Sequence, residues 1–573
     1  MTTRRGKSRS ALTFPCKESV SAGSLVLPVK TLRLVSFAIV CLSLHCALVA
    51  ADSAAPLNVG VTSDSIVFML LKPHPAGALE IRELPLYTQA NPATDAHTVW
   101  KANGAEAEDS WIPRFDGAHD RLFAKFQLVD SASGQTIGEP QYVTDFNALP
   151  VREHSLKRPA GKKGLGCVVQ IADCATLGVK HAKEDISIEG LLDWRNPAPA
   201  LSFDFEGRKV GLHRDAVARL DSRIKQMSDQ RINVIGCLLN YVRKDAVPAG
   251  PGVDGSPLIH PLTNPKVTPN SLAAFNTATA DGVFYYAAIV HWLVERYTRP
   301  DEAHGRMSSL IIGNELQSHW EWYNMGEAPA ENVVREYLTA VHIAELAARS
   351  VHRDYHIYIS MEHHWTLLAD AKNARRSMSG ADLLKRFADA AYREGDFPWL
   401  IAFHPYPENL FEPRFWNDKT APLRLDAPRI TFQNLEVLNA TLQQPEYLYA
   451  GHPRLVALTE QGFHCSDKPD GADNQAAAYA YAFKRIEAMP GIELFIYHRH
   501  VDNRGEGGLN LGLLDGHGPE NQGMGHRRPI WEVFEKAETP GEDEAFAFSL
   551  PIVGRTDWKN LVGEVTPAIT AGK

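Results

Sequence analysis

The sequence predicts an α/β protein: a (β/α)8 TIM barrel preceded by a small N-terminal β-sandwich. Three observations predict it: eight short apolar runs recur after residue 160, amphipathic helical patterns separate them, and turn-rich strand patterns precede them. The composition suits a large globular core, since 44% of the 573 residues are hydrophobic and 22% are charged. A doubly wound open sheet is the competing fold, but the sequence lacks the glycine-rich phosphate-binding motifs that often accompany it.

Residues 1–51 are predicted to be a signal peptide or leader. An apolar run at 34–51 follows Lys30 and Arg33, and small residues stand just before Asp52. We therefore expect an exported protein, periplasmic or extracellular, with no stable membrane insertion after the leader is removed. A retained N-terminal anchor is the alternative, although about 18 apolar residues is the lower limit for crossing a bilayer.

Removal of this leader changes both the charge and the cysteine count. The whole chain carries a formal charge of −9, and residues 1–51 hold seven Lys and Arg against one Glu, so the remaining chain carries −15. A nucleic-acid partner is therefore not expected. Four of the seven cysteines lie outside the leader, match no zinc-binding spacing, and would form one or two disulfides or stay as buried thiols: Cys167, Cys174, Cys237 and Cys465.

Residues 56–150 are predicted to form the β-sandwich. Short apolar or alternating runs such as IVFMLL, EIREL and RLFAKFQLVD are separated by turn clusters such as HPAG and QANPATD. No long helical period interrupts these runs, which is typical of an all-β domain.

Residues 160–540 are predicted to form the barrel, and 541–573 a C-terminal tail. The predicted strands are 165–171, 178–186, 232–241, 308–313, 356–361, 399–404, 454–459 and 493–498. Helical periodicity lies between them and is clear where one face carries Val217, Leu220, Ile224 and Met227. Alternating strands and helices favour a closed parallel barrel.

Polar and aromatic side chains collect just after five of these strands, where a barrel builds its active site. Glu315 follows the fourth strand and Glu460 the seventh, so the two carboxyl groups would face each other across the barrel opening. Such a pair suits glycoside hydrolysis, in which one carboxylic acid protonates the leaving oxygen and the other carboxylate attacks the anomeric carbon. Glu362 and Glu506 are rival carboxylates.

Three motifs resemble those of the clan A retaining glycoside hydrolases: IIGNE at 311–315, HPY at 404–406 and TEQGF at 459–463. More narrowly, the segments GNELQSHWEWYNMG, MEHHW and YHRHVDN resemble an uncharacterised bacterial domain family with a glycosidase-like barrel. This second resemblance covers most of 160–537 but implies no particular substrate.

The clan A resemblance implies roles for four residues. Glu315 would be the acid/base and Glu460 the nucleophile. Asn314 would hydrogen-bond the sugar 2-hydroxyl, and Tyr406 would orient the nucleophile. Two positions depart from the clan pattern: Tyr497 and His498 replace a Trp after strand eight, and strand two offers no Arg but has Lys180, Lys183, Glu184 and Asp185.

Aromatic and histidine side chains near these glutamates are predicted to bind sugar, because aromatic planes suit the C–H faces of sugar rings and imidazoles hydrogen-bond hydroxyl groups. The predicted substrate-binding residues are Asn314, Trp320, Trp322, His363, His364, Trp365, His404, Tyr406, Tyr497 and His498. The histidines and arginine at the strand ends would also suit an acidic polysaccharide.

The sequence therefore predicts an exported glycoside hydrolase that cleaves a poly- or oligosaccharide by a two-Glu retaining mechanism, with carbohydrate as its partner and no cofactor. One alternative is a noncatalytic carbohydrate-binding barrel protein. Another is a metal-dependent hydrolase that uses the histidine cluster. No metal is predicted, because no H-E-x-x-H motif or comparable ligand spacing is present in the sequence.

Overall fold

The computed structural model describes residues 56–71, 77–103, 109–248, 255–516 and 524–568. They belong to one compact unit, Ser53–Lys573. The predicted leader at 1–51 lies outside the described residues. Within these residues, no helix has both the length and the apolar character needed to span a bilayer.

Antiparallel sheets form the N-terminal sandwich. Its strands are β1 (Leu57–Val61), β2 (Ser65–Leu70), β3 (Ala78–Pro85), β4 (His97–Asn103), β5 (Ser110–Pro113), β6 (Phe115–Asp116), β7 (His119–Asp120), β8 (Ala124–Asp130) and β9 (Thr136–Gln141), with one short helix, α1 (Pro92–Asp95). One sheet has the order β1-β2-β5, another has the order β4-β3-β8-β9, and β6 and β7 form a small hairpin. Phe68 and Phe126 join the two larger sheets, with ring centroids 5.1 Å apart.

Eight parallel strands close into a barrel after this sandwich. The strands of this part are β10 (Lys163–Gly166), β11 (His181–Ser187), β12 (Leu201–Phe205), β13 (Arg208–Leu212), β14 (Asn233–Leu239), β15 (Met307–Ile312), β16 (His356–Glu362), β17 (Leu400–His404), β18 (Val456–Gln461) and β19 (Ile492–Tyr497). All but β12 and β13, which form a separate hairpin, belong to the closed barrel. This architecture confirms the predicted fold class.

The first barrel strand is shorter than predicted. The sequence predicts this strand at 165–171, but β10 ends at Gly166. Cys167 has a φ of 47°, in the left-handed region, so the chain leaves the extended conformation there. As a result, Cys167 lies at the mouth of the barrel.

Helices surround the barrel. They are α2 (Asp173–Leu177), α3 (Ile188–Leu191), α4 (Arg214–Asp229), α5 (Ala280–Tyr297), α6 (His319–Trp322), α7 (Ala330–Arg349), α8 (Gly380–Gly395), α9 (Glu436–Leu442), α10 (Gly471–Glu487), α11 (Pro529–Lys536), α12 (Glu542–Phe546) and α13 (Ser549–Ile552). Helix α4 buries the four apolar residues that its periodicity predicts, and Ser379 caps α8 by accepting a hydrogen bond from the Asp382 backbone N–H.

The segment after residue 540 packs on the barrel as far as Leu561, although the sequence predicts a tail. Phe546 of α12 is fully buried, and its ring contacts Phe483 of α10 at a centroid distance of 6.4 Å. Arg485 donates a hydrogen bond of 2.5 Å to the carbonyl of Leu561. Apolar burial and a side-chain hydrogen bond therefore hold this segment in place.

All four described cysteines are free thiols, so none of them forms the disulfide that the sequence left open. Cys174 and Cys237 are buried, and Cys167 and Cys465 are half-buried.

Candidate active site

A cavity of about 810 Å³ opens at the carboxyl ends of the barrel strands. Eight of the twelve predicted site residues line it: Asn314, Glu315, Trp322, His363, His364, Tyr406, Glu460 and His498. They come from segments far apart in sequence, and the closed barrel brings them together because its parallel strands all end on one face.

Glu315 and Glu460 face each other in this cavity. Each has a carboxyl oxygen within 4.8 Å of the other and of a ring nitrogen of His404. Retaining glycosidases hold their two carboxyl groups about 5–5.5 Å apart, whereas inverting enzymes leave about 6.5–9.5 Å for a water molecule. The observed spacing is closer to the retaining arrangement than to the inverting one.

Glu460 is held as an anion. The Lys183 Nζ lies 2.6 Å from its Oε2, and the Tyr406 hydroxyl donates a 3.3 Å hydrogen bond to its Oε1. Burial alone would raise the pKa of Glu460, but the positive charges of Lys183 and His498 outweigh burial and hold that pKa well below its usual range. An ionised carboxylate at this position is suited to nucleophilic attack.

Lys183 is the site residue that sequence reasoning missed. The sequence shows only that its strand lacks an arginine, yet this buried lysine supplies the cation that pairs with Glu460. Successive side chains of β11 point to opposite sides of the sheet. Glu184 points outward and accepts a 2.5 Å hydrogen bond from Arg223 of α4, so its neighbour Lys183 points into the barrel.

Glu315 occupies a different electrostatic environment. The His404 Nδ1 lies 2.8 Å from its Oε1, and the His404 Nε2 lies 3.1 Å from the Thr459 hydroxyl. Burial raises the pKa of Glu315, and the nearby Glu362 and Glu460 carboxylates raise it further, outweighing the opposing effect of His404. The buried Glu315 is thus suited to hold a proton as a general acid.

A strained turn presents Glu315. Gly313 has a φ of 67°, and a Cβ there would lie 2.6 Å from the Tyr323 ring. Glu315 itself has a φ of 41°, and its backbone N–H donates a 2.9 Å hydrogen bond to the Ser360 hydroxyl on β16. The turn therefore needs glycine and is locked to the next strand.

Glu362 is held as an anion, and its surroundings do not favour a proton on it. It accepts hydrogen bonds from the Ser318 hydroxyl at 2.9 Å and from the His364 backbone N–H at 2.8 Å, and the His364 Nδ1 also lies 2.8 Å away. Burial opposes ionisation, but these hydrogen bonds and the adjacent His363 and His364 imidazoles lower the pKa of Glu362 to about 2. Its negative charge is one of those that raise the pKa of Glu315.

Four predicted substrate-binding residues are not among those that line the cavity. Trp365 is buried and donates a 2.9 Å hydrogen bond from Nε1 to the Leu425 carbonyl, whereas Trp320 packs against the Arg376 guanidinium at 4.2 Å. These two aromatic side chains therefore pack against other parts of the protein and do not line the cavity.

The other two are Tyr497 and His404. The Tyr497 hydroxyl donates a 2.7 Å hydrogen bond to the Leu511 carbonyl, beneath the long loop after β19. His404 is buried, and its ring contacts Glu315 and lies within 4.8 Å of Glu460. Trp322 is therefore the one predicted tryptophan whose side chain reaches the cavity.

The sequence analysis assigned no site role to several other lining residues. They include Cys167, Asp185, Tyr241, Asn270, Glu321, Leu410 and Asn503. Most lie on loops, where sequence spacing gives no information about which side chains converge.

Among the residues that the structure describes, two groups bring possible metal ligands within 4.8 Å of one another: Glu362 with His363 and His364, and Glu315 with His404 and Glu460. Neither group suits a cation. The Arg429 guanidinium lies 3.4 Å from the His364 Nε2, and Lys183 lies against Glu460, so each group already has a positive neighbour.

Several solved structures share distant similarity with this chain. A family 39 glycoside hydrolase from the gut symbiont Bacteroides cellulosilyticus WH2 is 12% identical with a TM-score of 0.41, covering 82% of this chain and 79% of that one. A β-glucosidase from Pyrococcus furiosus is 15% identical with a TM-score of 0.38, covering 67% and 86%. An exo-β-1,4-mannosidase from Opitutaceae bacterium strain TAV5 is 15% identical with a TM-score of 0.37, covering 73% and 63%.

TM-scores of this size are too low to transfer an activity to this chain. No curated protein matches it. The narrower resemblance, to an uncharacterised domain family, is confirmed. The model of the family of unknown function DUF5722 matches residues 155–561, which include every strand of the barrel, and the chain therefore belongs to that family.

Proposed function

We propose that this protein is an exported glycoside hydrolase that cleaves a poly- or oligosaccharide with retention of configuration. The observation that carries the proposal is the pair Glu315 and Glu460: their carboxyl oxygens lie within 4.8 Å, and their surroundings favour opposite protonation states. Export rests on the sequence of residues 1–51 and is tested by N-terminal sequencing of the protein recovered outside the cytoplasm.

In the first step, a Glu460 oxygen bonds to the anomeric carbon while the bond to the leaving oxygen breaks and Glu315 gives that oxygen its proton. In the second step, Glu315 takes a proton from water, and the water oxygen displaces Glu460 from the anomeric carbon. The ester formed in the first step removes the charge of Glu460. This loss lowers the pKa of Glu315, which favours its change from acid to base.

The proposal is tested with Glu315→Gln and Glu460→Gln, assayed on a panel of aryl glycosides and oligosaccharides. We expect each substitution to lower kcat by at least about 1,000-fold. Glu315→Gln removes the group that transfers the proton, and Glu460→Gln removes the carboxylate that bonds to the anomeric carbon. The exposed Glu331 on α7 offers a matched control, and Glu331→Gln should keep full activity.

The stereochemistry of the product provides an independent test. Proton NMR during the first minutes of hydrolysis should show the anomer of the substrate. Full activity in either cavity variant, or an inverted product, would overturn the mechanism. A protein that binds glycans but cleaves none of them would instead be a carbohydrate-binding barrel.

A further inference from the structure

Acidic groups outnumber cations in the cavity. Six carboxyl groups of the described chain line it: Asp185, Glu315, Glu321, Glu362, Glu460 and Glu506. The positive groups are Lys183, Arg499 and His498. Burial opposes the charge on His498, but Glu460 and its other neighbours raise its pKa to about 10, so it is cationic near neutral pH. Even with a proton on Glu315, the carboxylates are in excess.

Each of these cations already has a carboxylate partner. Lys183 lies 2.6 Å from Glu460 and 3.6 Å from Asp185. Arg499 forms an ion pair with Glu506 through its Nη1, and the His498 Nε2 lies 3.2 Å from the same carboxylate. No cation on the described part of the wall is left for an anionic ligand.

The remaining histidines of the wall do not change this balance. Burial lowers the pKa of His363 to about 4, so it is neutral near pH 7, and its Nδ1 lies 2.9 Å from the Tyr406 carbonyl. The His364 Nδ1 is engaged by Glu362, and its Nε2 faces Arg429. Neither imidazole therefore offers a free positive charge.

The cavity wall carries side chains that can form hydrogen bonds with uncharged hydroxyl groups. Asp185 and Glu321 have solvent-accessible carboxyl groups that can accept hydrogen bonds from hydroxyls. The amides of Asn270, Asn314 and Asn503 add both donors and acceptors. A carboxylate or sulfate on the sugar would lose its water here and meet only paired cations and excess negative charge.

We propose that the cavity selects sugar residues without an anionic group and excludes uronates and sulfated sugars. This inference rests on the proposed glycosidase function. It contradicts the suggestion from the sequence that the substrate is an acidic polysaccharide. The histidines and arginine that prompted that suggestion are neutral or bound to carboxylates in the folded protein.

The test uses matched pairs of aryl hexosides and aryl hexuronides that differ only at carbon 6. We expect kcat/KM to be at least about 100-fold higher for the hexoside of any pair that is cleaved, because an unpaired buried charge is strongly unfavourable. Equal or faster cleavage of a hexuronide would overturn the inference while supporting the glycosidase.

A binding measurement keeps the test independent of turnover. Glu315→Gln replaces a protonated acid with a neutral amide, so it preserves the cavity charge. Calorimetry with this variant should show binding of neutral oligosaccharides and at least about 100-fold weaker binding of oligouronates. Neutral glycans that bind to the wild type but are never cleaved would refute the proposed function alone. Tighter binding of oligouronates, or no binding of neutral glycans, would overturn the inference.

The pairing of Arg499 provides a directed check. Glu506→Gln removes the carboxylate that neutralises Arg499, so the hexuronide-to-hexoside ratio should rise about tenfold or more, in turnover or in binding. Glu506→Asp keeps the charge and should leave the ratio close to that of the wild type. An unchanged ratio in Glu506→Gln would contradict the role assigned to ion pairing.

Discussion

The neighbours of Glu315 and Glu460 favour opposite protonation states of these two carboxyl groups. A lysine and a cationic histidine stabilise the charge of Glu460, whereas two carboxylates and burial favour the neutral form of Glu315. The difference is electrostatic, because both side chains line the same cavity. In the proposed mechanism, single residues such as Lys183 therefore determine which carboxyl group attacks and which one donates a proton.

Lys183→Met should move the acidic limb of the pH–activity profile. The nucleophile must be ionised, and loss of the Lys183 charge raises the pKa of Glu460, so activity should fall at a higher pH than in the wild type. We expect a shift of about one pH unit or more in the acidic limb of kcat/KM. Lys183→Arg keeps a cation and should shift less. An unmoved limb in Lys183→Met would show that Lys183 does not control Glu460.

At the scale of elements, the turn between β15 and α6 positions the acid. Gly313 and Glu315 both have positive φ values, and the Tyr323 ring closes the space beside Gly313. The following helix α6 is short, so the turn depends on tertiary contacts such as the hydrogen bond to Ser360.

Gly313→Ala should destabilise the protein by about 2–4 kcal/mol, because the new methyl group meets both backbone strain and the Tyr323 ring. Gly117 has a φ of 61° with nothing within 4 Å of an added Cβ, so Gly117→Ala isolates the backbone effect, about 1 kcal/mol. Urea unfolding measures both variants. Equal losses in the two would mean that the Tyr323 contact is unimportant.

On the scale of the whole molecule, the sandwich and the barrel pack together. Tyr142, just after β9, is fully buried and stacks on His342 of α7 with ring centroids 3.8 Å apart. Its backbone N–H donates a 3.0 Å hydrogen bond to the Glu394 carbonyl of α8. These contacts join the two parts of one compact unit, so we expect them to unfold together.

Tyr142→Ala should lower the free energy of unfolding by about 3–5 kcal/mol, as large aromatic deletions in cores do. Tyr392 on α8 is 56% exposed, and Tyr392→Ala should change stability by less than about 0.5 kcal/mol. Differential scanning calorimetry measures both, and the wild type should show one transition. Two separate transitions in the wild type would mean that this interface does not couple the parts.

Much of the fold was predictable because strand and helix periodicity is a local property. The eight barrel strands, the sandwich and the helix at 214–229 appear near their predicted positions. The first strand ended early because of the backbone conformation of Cys167, which no local pattern encodes. The segment after residue 540 packs on α10 because Phe546 is buried against Phe483. That contact exists only once the barrel has assembled.

The sequence by itself determined the barrel, the sandwich before it and the strand ends that bear Glu315 and Glu460. The physical basis is that apolar periodicity and residue order are local properties of the sequence. Only the tertiary structure decided that Lys183 pairs with Glu460, that Trp365 and Tyr497 lie beneath the surface, and that the cavity cations are already neutralised. The physical reason is that pairing, burial and pKa depend on distances between residues that are remote in sequence.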